Sequence, residues 1–268
     1  MWRMLCGLLA VSCPNAGEAL TATARWVAWR DEQAISARFT DWLRAEAGTD
    51  WDSIVHHPFT DMLAEGTLPK AVLVRYLVQD HRFLDSFVVL LASMVAAAPS
   101  LSDRIPGAQF LGLTTGKENT YFERCFVALG VTEDDRRNTP DAPVTASFDG
   151  LMRRAAKSGA LGQMLAVLVV AEWSYGSWGE RVLPAANRHP DLPFYYREWV
   201  DLHSGPHFAG VIEYLRELLD KVGPRLTDAG IEETRAAFLE AVANENAFWA
   251  MAMGDDVAGP RGTASSEL

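Results

Sequence analysis

Cysteine is scarce in this chain. Three cysteines occur in 268 residues, at Cys6, Cys13 and Cys125, with no C-x-x-C pair and no even framework. A disulfide framework is therefore not expected, and a reducing compartment fits this usage best. Cys125 lies inside a helical pattern, where we interpret it as a small core residue.

Positive charge and long apolar runs are also in short supply. The chain has 24 lysines and arginines against 35 acidic residues, a net charge of -11. The sequence contains no cluster of basic residues, which argues against binding to nucleic acid or to an anionic membrane surface. No run reaches the roughly 18 uncharged apolar residues of a membrane span. We predict a cytoplasmic protein without nucleic-acid or membrane partners; its 49% hydrophobic content suits a sizeable core.

The two ends of the chain differ from the rest. Residues 1–13 resemble a weak secretory or lipoprotein signal, with one positive charge and a short apolar run. The alternative is a start codon placed too far upstream, which we prefer because nothing downstream looks extracytoplasmic. We treat residues 1–33 as an N-terminal extension; residues 14–32 lack clean periodicity, and we expect a frayed lead-in there. Residues 255–268 are small and polar, and we predict a disordered tail.

Strand alternation and glycine-rich phosphate loops are absent, whereas helical periodicity is present throughout the remainder. We predict an all-α fold, a single-domain helical bundle from residue 34 to 254. Pro184 is expected to end the most apolar helix, and residues 131–144 to form a polar connection. The main predicted helices span about 34–47, 69–98, 105–129 (with a possible break near 106–107), 145–157, 161–183, 193–203, 207–222 and 227–253.

Four of these helices each place a single acid within an apolar stripe, and each acid is followed three positions later by an aromatic residue. A buried acid is costly unless another group pairs with it or uses it. One interpretation is four structural salt bridges, with Arg75, Arg82 and Arg124 as available partners. The other is a shared pocket for a flat, polar, nitrogen-bearing ring, which the repetition favours. The pairs are Asp80 with Phe83, Glu118 with Tyr121, Glu172 with Tyr175, and Glu245 with Phe248.

Metal and haem chemistry fit the pattern less well. A di-iron or di-manganese bundle needs Glu-x-x-His on two helices, but aromatic residues occupy those positions here. A haem ligand at His56 or His57 is disfavoured because a His-Pro pair at a helix start is usually a turn or capping feature. We therefore predict no metal and no cofactor.

Acid–base chemistry by carboxyl groups fits the residues present. There is no Gly-x-Ser-x-Gly elbow, and Cys125 has no evident base beside it. Buried acids close together cannot all ionise cheaply, so one can donate a proton while another activates water. His203 precedes a Gly-Pro break, where it either faces a pocket mouth or is a solvated helix-terminal histidine.

An ordered set of motifs between residues 50 and 254 resembles the TenA family, the thiaminase-II-like aminopyrimidine hydrolases. The resemblance implies a haem-oxygenase-like helical fold that uses no haem, and association into dimers or tetramers. Its marks are His57-Pro58-Phe59, Gly66-Thr67-Leu68, Tyr76 to Asp80, Glu118, Tyr196 to His203, and Glu245 to Met251.

The resemblance also assigns roles. Asp80 matches the family's substrate-binding acid, and Glu245 matches the C-terminal acid assigned to proton transfer. Classical members carry a nucleophilic cysteine four residues before the equivalent of Tyr175, but this chain has Ala171 there and Glu172 next to it. It therefore resembles the cysteine-lacking branch, with Asp80, Glu172 and Glu245 as predicted catalytic residues. The predicted substrate-binding residues are Tyr76, Asp80, Phe83, Glu118, Phe148, Tyr175, His203 and Phe248; Phe148 and His203 stand where classical members often have tyrosine.

The implied reaction is hydrolytic deamination of an aminomethylpyrimidine to a hydroxymethylpyrimidine, in salvage of the thiamin pyrimidine. We expect Glu172 to replace the missing cysteine. One alternative is a binding or regulatory protein that holds a pyrimidine or thiamin-like ligand without turnover. Another is a non-metal oxygenase or cofactor-maturation enzyme, as in pyrroloquinoline quinone biosynthesis, which would need a basic pocket.

Overall fold

Helices make up all the regular structure of residues 20–33 and 36–254, which a computed structural model of the protein describes. The all-α prediction is confirmed for this part of the chain. The predicted signal-like segment 1–13 and the predicted tail 255–268 lie outside it. The helices are α1 (Ala22–Glu32), α2 (Phe39–Ala47), α3 (Thr49–Val55), α4 (Pro58–Glu65), α5 (Lys70–Ala97), α6 (Leu101–Leu113), α7 (Asn119–Leu129), α8 (Glu133–Asn138), α9 (Pro143–Ser158), α10 (Leu161–Ala186), α11 (Phe194–Leu202), α12 (Gly205–Val222) and α13 (Asp228–Met253).

Helix α10 is the central element of the bundle. It is apolar on nearly all sides, from Met164 to Val182, and a helix of that kind is stable only when other elements surround it. Helices α5, α9, α12 and α13 pack around it, with α3, α4 and α11 at its C-terminal half. The acid-bearing stripes of α5 and α13 consequently face the acid-bearing stripe of α10.

A π-helical turn, Thr114–Glu118, joins α6 to α7. The sequence predicted a helix over 105–129 with a possible break near Pro106, but Pro106 lies within α6 and the irregularity falls eight residues later. The wider turn changes the phase of the helix. Thr115, three residues before Glu118, is therefore exposed, whereas Glu118 lines the cavity described below.

Three other expectations about local structure were wrong. Residues 22–32 form a helix rather than a frayed lead-in, because Trp26 is buried and Arg25 pairs with Glu232 of α13. The connection 131–144 contains the short helix α8, which begins with a Thr132–Asp135 capping box. Helix α10 continues past Pro184 to Ala186.

His57 has a capping role at the start of α4. Its Nδ1 accepts a hydrogen bond from the Phe59 amide at 3.2 Å, and Pro58 occupies the first turn of that helix. This agrees with the sequence interpretation of the His-Pro pair. Among the described helices, none is long and apolar enough to cross a membrane.

Candidate active site

Four carboxyl groups from four different elements line one cavity. Asp80 comes from α5, Glu118 from the π turn, Glu172 from α10 and Glu245 from α13. The cavity contains about 450 Å³ of space between its walls, including its opening to solvent. Its other lining residues are Phe83, Leu84, Phe87, Phe148, Ala171, Tyr175, Trp199, His203 and Phe248.

These carboxyl groups have strongly raised pKa values. Burial raises the pKa of Asp80 to about 7 and, together with the nearby Asp80 carboxyl, raises that of Glu118 to about 8. Burial also raises the pKa of Glu172 and Glu245 well above the ordinary value of a glutamate. The carboxyls of Glu118, Glu245 and Asp80 add to the effect on Glu172, since neighbouring negative charges disfavour its ionised form. Carboxyl groups in this cavity are therefore protonated near neutral pH.

The three arginines that could have neutralised these acids lie elsewhere. Arg75 donates to the carbonyl oxygen of Ala252. Arg82 forms an ion pair with Asp141 on the surface, and Arg124 forms one with Glu198. The salt-bridge interpretation is thus wrong for these candidate partners, and the buried carboxyls remain available to a ligand.

The hydroxyl of Tyr76 is hydrogen-bonded both to Asp80 and to the hydroxyl of Tyr175. The hydroxyl oxygens of Tyr76 and Tyr175 are 2.8 Å apart, and a hydrogen bond from Tyr76 partly offsets the raised pKa of Asp80. Tyr175 lines the cavity, whereas Tyr76 is fully buried behind it. The structure therefore places Tyr76, which we predicted to bind substrate, where it contacts the site through Tyr175 and Asp80.

Aromatic rings form much of the remaining wall. Phe83 and Phe148 meet edge to face with centroids 5.0 Å apart, and Phe248 closes the side formed by α13. Three of the four predicted aromatic partners of the acids line the cavity. The fourth, Tyr121, instead donates its hydroxyl to the carbonyl of Tyr195 and stacks on Trp199.

Trp199 is the main lining residue that the sequence analysis missed. It lies four residues before His203 on α11, so the two share one helical face. The four-residue spacing from His203 could have predicted that Trp199 also lines the cavity. Leu84 and Phe87 belong to the stripe of Asp80 on α5, and their contact with the cavity follows from the same periodicity.

The position that the sequence analysis predicted to match the family's nucleophile is an alanine. Ala171 lines the cavity one turn before Tyr175. Cys125 is fully buried outside the cavity lining, and burial raises its pKa to about 12. Over residues 20–33 and 36–254, no group of three or more histidine, cysteine or acidic side chains has a geometry suited to a metal ion.

The sequence matches known proteins over most of its length. A sequence model of the TENA/THI-4/PQQC family matches residues 44–255. The chain belongs to this family. A curated relative from Halalkalibacterium halodurans, named aminopyrimidine aminohydrolase, is 24% identical over 212 residues, which cover 78% of this chain and 93% of the relative.

Solved structures confirm the haem-oxygenase-like fold. A TenA homologue from P. horikoshii OT3 superposes with a TM-score of 0.71 at 24% identity, covering 82% of this chain and 100% of that one. A domain of unknown function from Shewanella denitrificans, described as having a heme oxygenase-like fold, gives a TM-score of 0.60 at 18% identity over 83% and 94% of the two chains.

Proposed function

We propose that this protein is an aminopyrimidine aminohydrolase that uses carboxyl groups in place of a cysteine nucleophile. The observation that supports this is that one aromatic-walled cavity is lined by four acids, Asp80, Glu118, Glu172 and Glu245. No lysine, arginine or histidine side chain contributes to the shifts in their pKa values. Such a cavity suits a flat, basic, nitrogen-rich ring, because the ring stacks on the aromatic wall while the acids bind its nitrogens.

Asp80 is the residue best suited to hold the ring. Tyr76 donates a hydrogen bond to its carboxyl, and Asp80 also lines the cavity. A carboxylate can accept two hydrogen bonds at once, from the exocyclic amino group and from a protonated ring nitrogen. The positive charge of a bound, protonated aminopyrimidine would also lower the pKa of Asp80 and favour its ionised form.

Glu172 and Glu245 carry the proton transfers in this proposal. The bond between the exocyclic methylene carbon and its amine nitrogen breaks, and a bond from that carbon to a water oxygen forms. One carboxylate takes a proton from the water, and the other carboxyl gives a proton to the departing amine, so that ammonia leaves. The raised pKa values of both groups make a protonated carboxyl available near neutral pH.

The test is a substrate panel with a matched pair of variants. Purified protein is incubated with thiamin, 4-amino-5-aminomethyl-2-methylpyrimidine and its formylated form, and ammonia, formate and hydroxymethylpyrimidine are measured. We expect ammonia from the aminomethyl compound and its loss in Glu172→Gln. Glu240→Gln makes the same chemical change on the exposed face of α13 and should leave the rate unchanged. An undiminished rate in Glu172→Gln rules out its role.

The second candidate function is ligand binding without turnover, and the presence of Ala171 at the nucleophile position favours it. Tight binding of an aminopyrimidine by isothermal titration, without product, would support this candidate. The acidic quinone required by the third alternative is less well suited, because the described cavity lining contains no lysine or arginine. Association into dimers or tetramers and a cytoplasmic location stay predictions.

A further inference from the structure

His203 lines the cavity from the C-terminal end of α11, and only 6% of its surface is exposed. Its Nδ1 lies 2.9 Å from the carbonyl oxygen of Trp199. A carbonyl oxygen can only accept a hydrogen bond, so Nδ1 must carry the hydrogen. The hydrogen bond therefore selects one tautomer of the ring.

The ring is also neutral. Burial lowers the pKa of His203 to about 4, and the hydrogen bond to Trp199 offsets this only in part. A neutral imidazole has one ring hydrogen, which Nδ1 already carries. Nε2 is thus left with a lone pair and can act only as an acceptor.

Packing holds the ring in this orientation. The centroids of four aromatic rings lie 4.3 to 5.6 Å from that of His203; these belong to Trp199, Tyr175, Phe208 and Trp178. The main chain of His203 is itself pressed against Gly179 of α10, where a β-carbon would lie 2.0 Å from the His203 carbonyl oxygen. The ring contacts enclose the imidazole, the Gly179 contact positions the main chain that carries it, and the hydrogen bond to Trp199 occupies Nδ1.

The polarity of His203 is opposite to that of the other polar groups around it. The titratable groups that face the cavity from the neighbouring elements are Asp80, Glu118, Glu172, Glu245 and Tyr175, all with raised pKa values. Their protonated forms offer hydrogen-bond donors. The Nε2 atom of His203 remains an acceptor while these carboxyl groups are protonated, whereas each carboxyl becomes an acceptor without a donor only when it ionises.

We propose that Nε2 of His203 accepts a hydrogen bond from an N–H group of the bound aminopyrimidine, and that His203 thereby determines which substituents the cavity admits. This inference rests on the proposed function and specifies which group of the substrate the protein recognises. A site built around such a contact rejects an analogue that lacks the donor, because the acceptor then stays buried without a partner.

The first test is the tautomer itself, which needs no activity. Protein labelled with ¹⁵N-histidine is examined by NMR, and the His203 signal is assigned by its loss in His203→Gln. We expect a protonated Nδ1 and a bare Nε2, with the Nε2 signal moving when 4-amino-5-aminomethyl-2-methylpyrimidine is added. A hydrogen on Nε2 in the unliganded protein would overturn the proposal.

The second test measures the affinity of variants for the same compound. His203→Phe keeps an aromatic ring but removes the acceptor, and we expect Kd to rise about tenfold, the loss of one hydrogen bond. His203→Gln returns an acceptor oxygen and should bind more tightly than His203→Phe. His207→Gln alters an exposed histidine on α12 and serves as the control. Thermal unfolding establishes that each variant is folded.

The outcomes separate the two proposals. If His203→Phe binds like the wild type while the wild type still releases ammonia, the role of His203 is wrong and the hydrolase proposal stands. If the wild type binds the compound through a bare Nε2 but releases no ammonia, the hydrolase proposal is wrong and the recognition role stands.

Discussion

Gly179 of α10 makes direct room for the main-chain carbonyl of His203. A β-carbon at position 179 would lie 2.0 Å from that oxygen, far inside van der Waals contact. The close approach lets α11 lie against the central helix and brings the His203 ring to the cavity. A residue without a side chain thus determines the position of one that we propose to contact the ligand.

Gly179→Ala should therefore be destabilising. We expect a loss of about 1–3 kcal/mol in the free energy of unfolding, because α10 or the α11–α12 corner must shift to admit a methyl group. Urea denaturation measures the change. Gly112→Ala is the matched control, since nothing lies within 4 Å of its added β-carbon on α6, and it should be neutral or stabilising. Equal effects of the two substitutions would contradict the prediction.

Glu172→Gln should abolish most of the activity while preserving the fold. We expect a fall in kcat of about 100-fold or more, the usual contribution of general acid–base catalysis. Removing a buried group with a raised pKa should not lower stability at neutral pH, because its charged form is disfavoured there. Ammonia release and thermal unfolding are measured side by side, with Glu240→Gln as control. A rate reduced only in proportion to a loss of folded protein would argue against a catalytic role.

The pH dependence of stability should have an unusual sign. The folded-state pKa values of Asp80 and Glu118 are about 7 and about 8, above their ordinary values of 3.8 and 4.5. The folded state binds more protons than the unfolded chain between these limits, so stability from these groups is lost as pH rises. His203 acts in the opposite direction between about 4 and 6.5, where only the unfolded state is protonated.

The carboxyl effect is therefore clearest above pH 6.5. We expect Asp80 and Glu118 together to lower the free energy of unfolding by about 2 kcal/mol between pH 6.5 and 8. The raised pKa values of Glu172 and Glu245 add a loss in the same direction. Urea denaturation at several pH values measures it. The double variant Asp80→Asn and Glu118→Gln should show a flatter profile, whereas Glu240→Gln should retain the wild-type slope. A wild-type profile that rises across this range would contradict the raised pKa values.

Ala171→Cys should place a reactive position inside the cavity. Ala171 lines the cavity, whereas Cys125 is fully buried outside the lining. We expect iodoacetamide to label the variant at one site more than the wild type, and an aminopyrimidine to slow that labelling. Mass spectrometry of peptides identifies the modified residue. Labelling that the ligand does not slow would place the ligand elsewhere.

Tyr76→Phe should destabilise the protein and raise the pKa of Asp80, although Tyr76 itself does not line the cavity. The Tyr175 hydroxyl, 2.8 Å from that of Tyr76, would lose its partner in a buried position, at a cost of about 1–3 kcal/mol. The pKa of Asp80 should rise further, since Tyr76 normally lowers it. The double variant Tyr76→Phe with Tyr175→Phe removes both partners and should recover part of the lost stability. Additive losses in a double-mutant cycle would show that the two hydroxyls do not interact.

Local sequence patterns were sufficient where the cause of a structure is local. The apolar residues of α10 predicted a helix over about 161–183. The acids on α5, α10 and α13 were predicted to face inward because helical periodicity places them among apolar residues. The same reasoning failed at α1, whose single buried tryptophan gives little periodicity, and at Pro184, which the last turn of α10 accommodates.

The sequence by itself determined the all-α class and the stripe on which each acid lies, since both follow from residue spacing along one helix. Only the tertiary structure decided that four stripes meet at one cavity, that Tyr76 lies behind it, and that Trp199 joins its wall. The π turn that aims Glu118 inward and the contact of Gly179 with His203 belong to the same category. These features depend on how separate helices pack, and the period of any single helix carries no information about its neighbours.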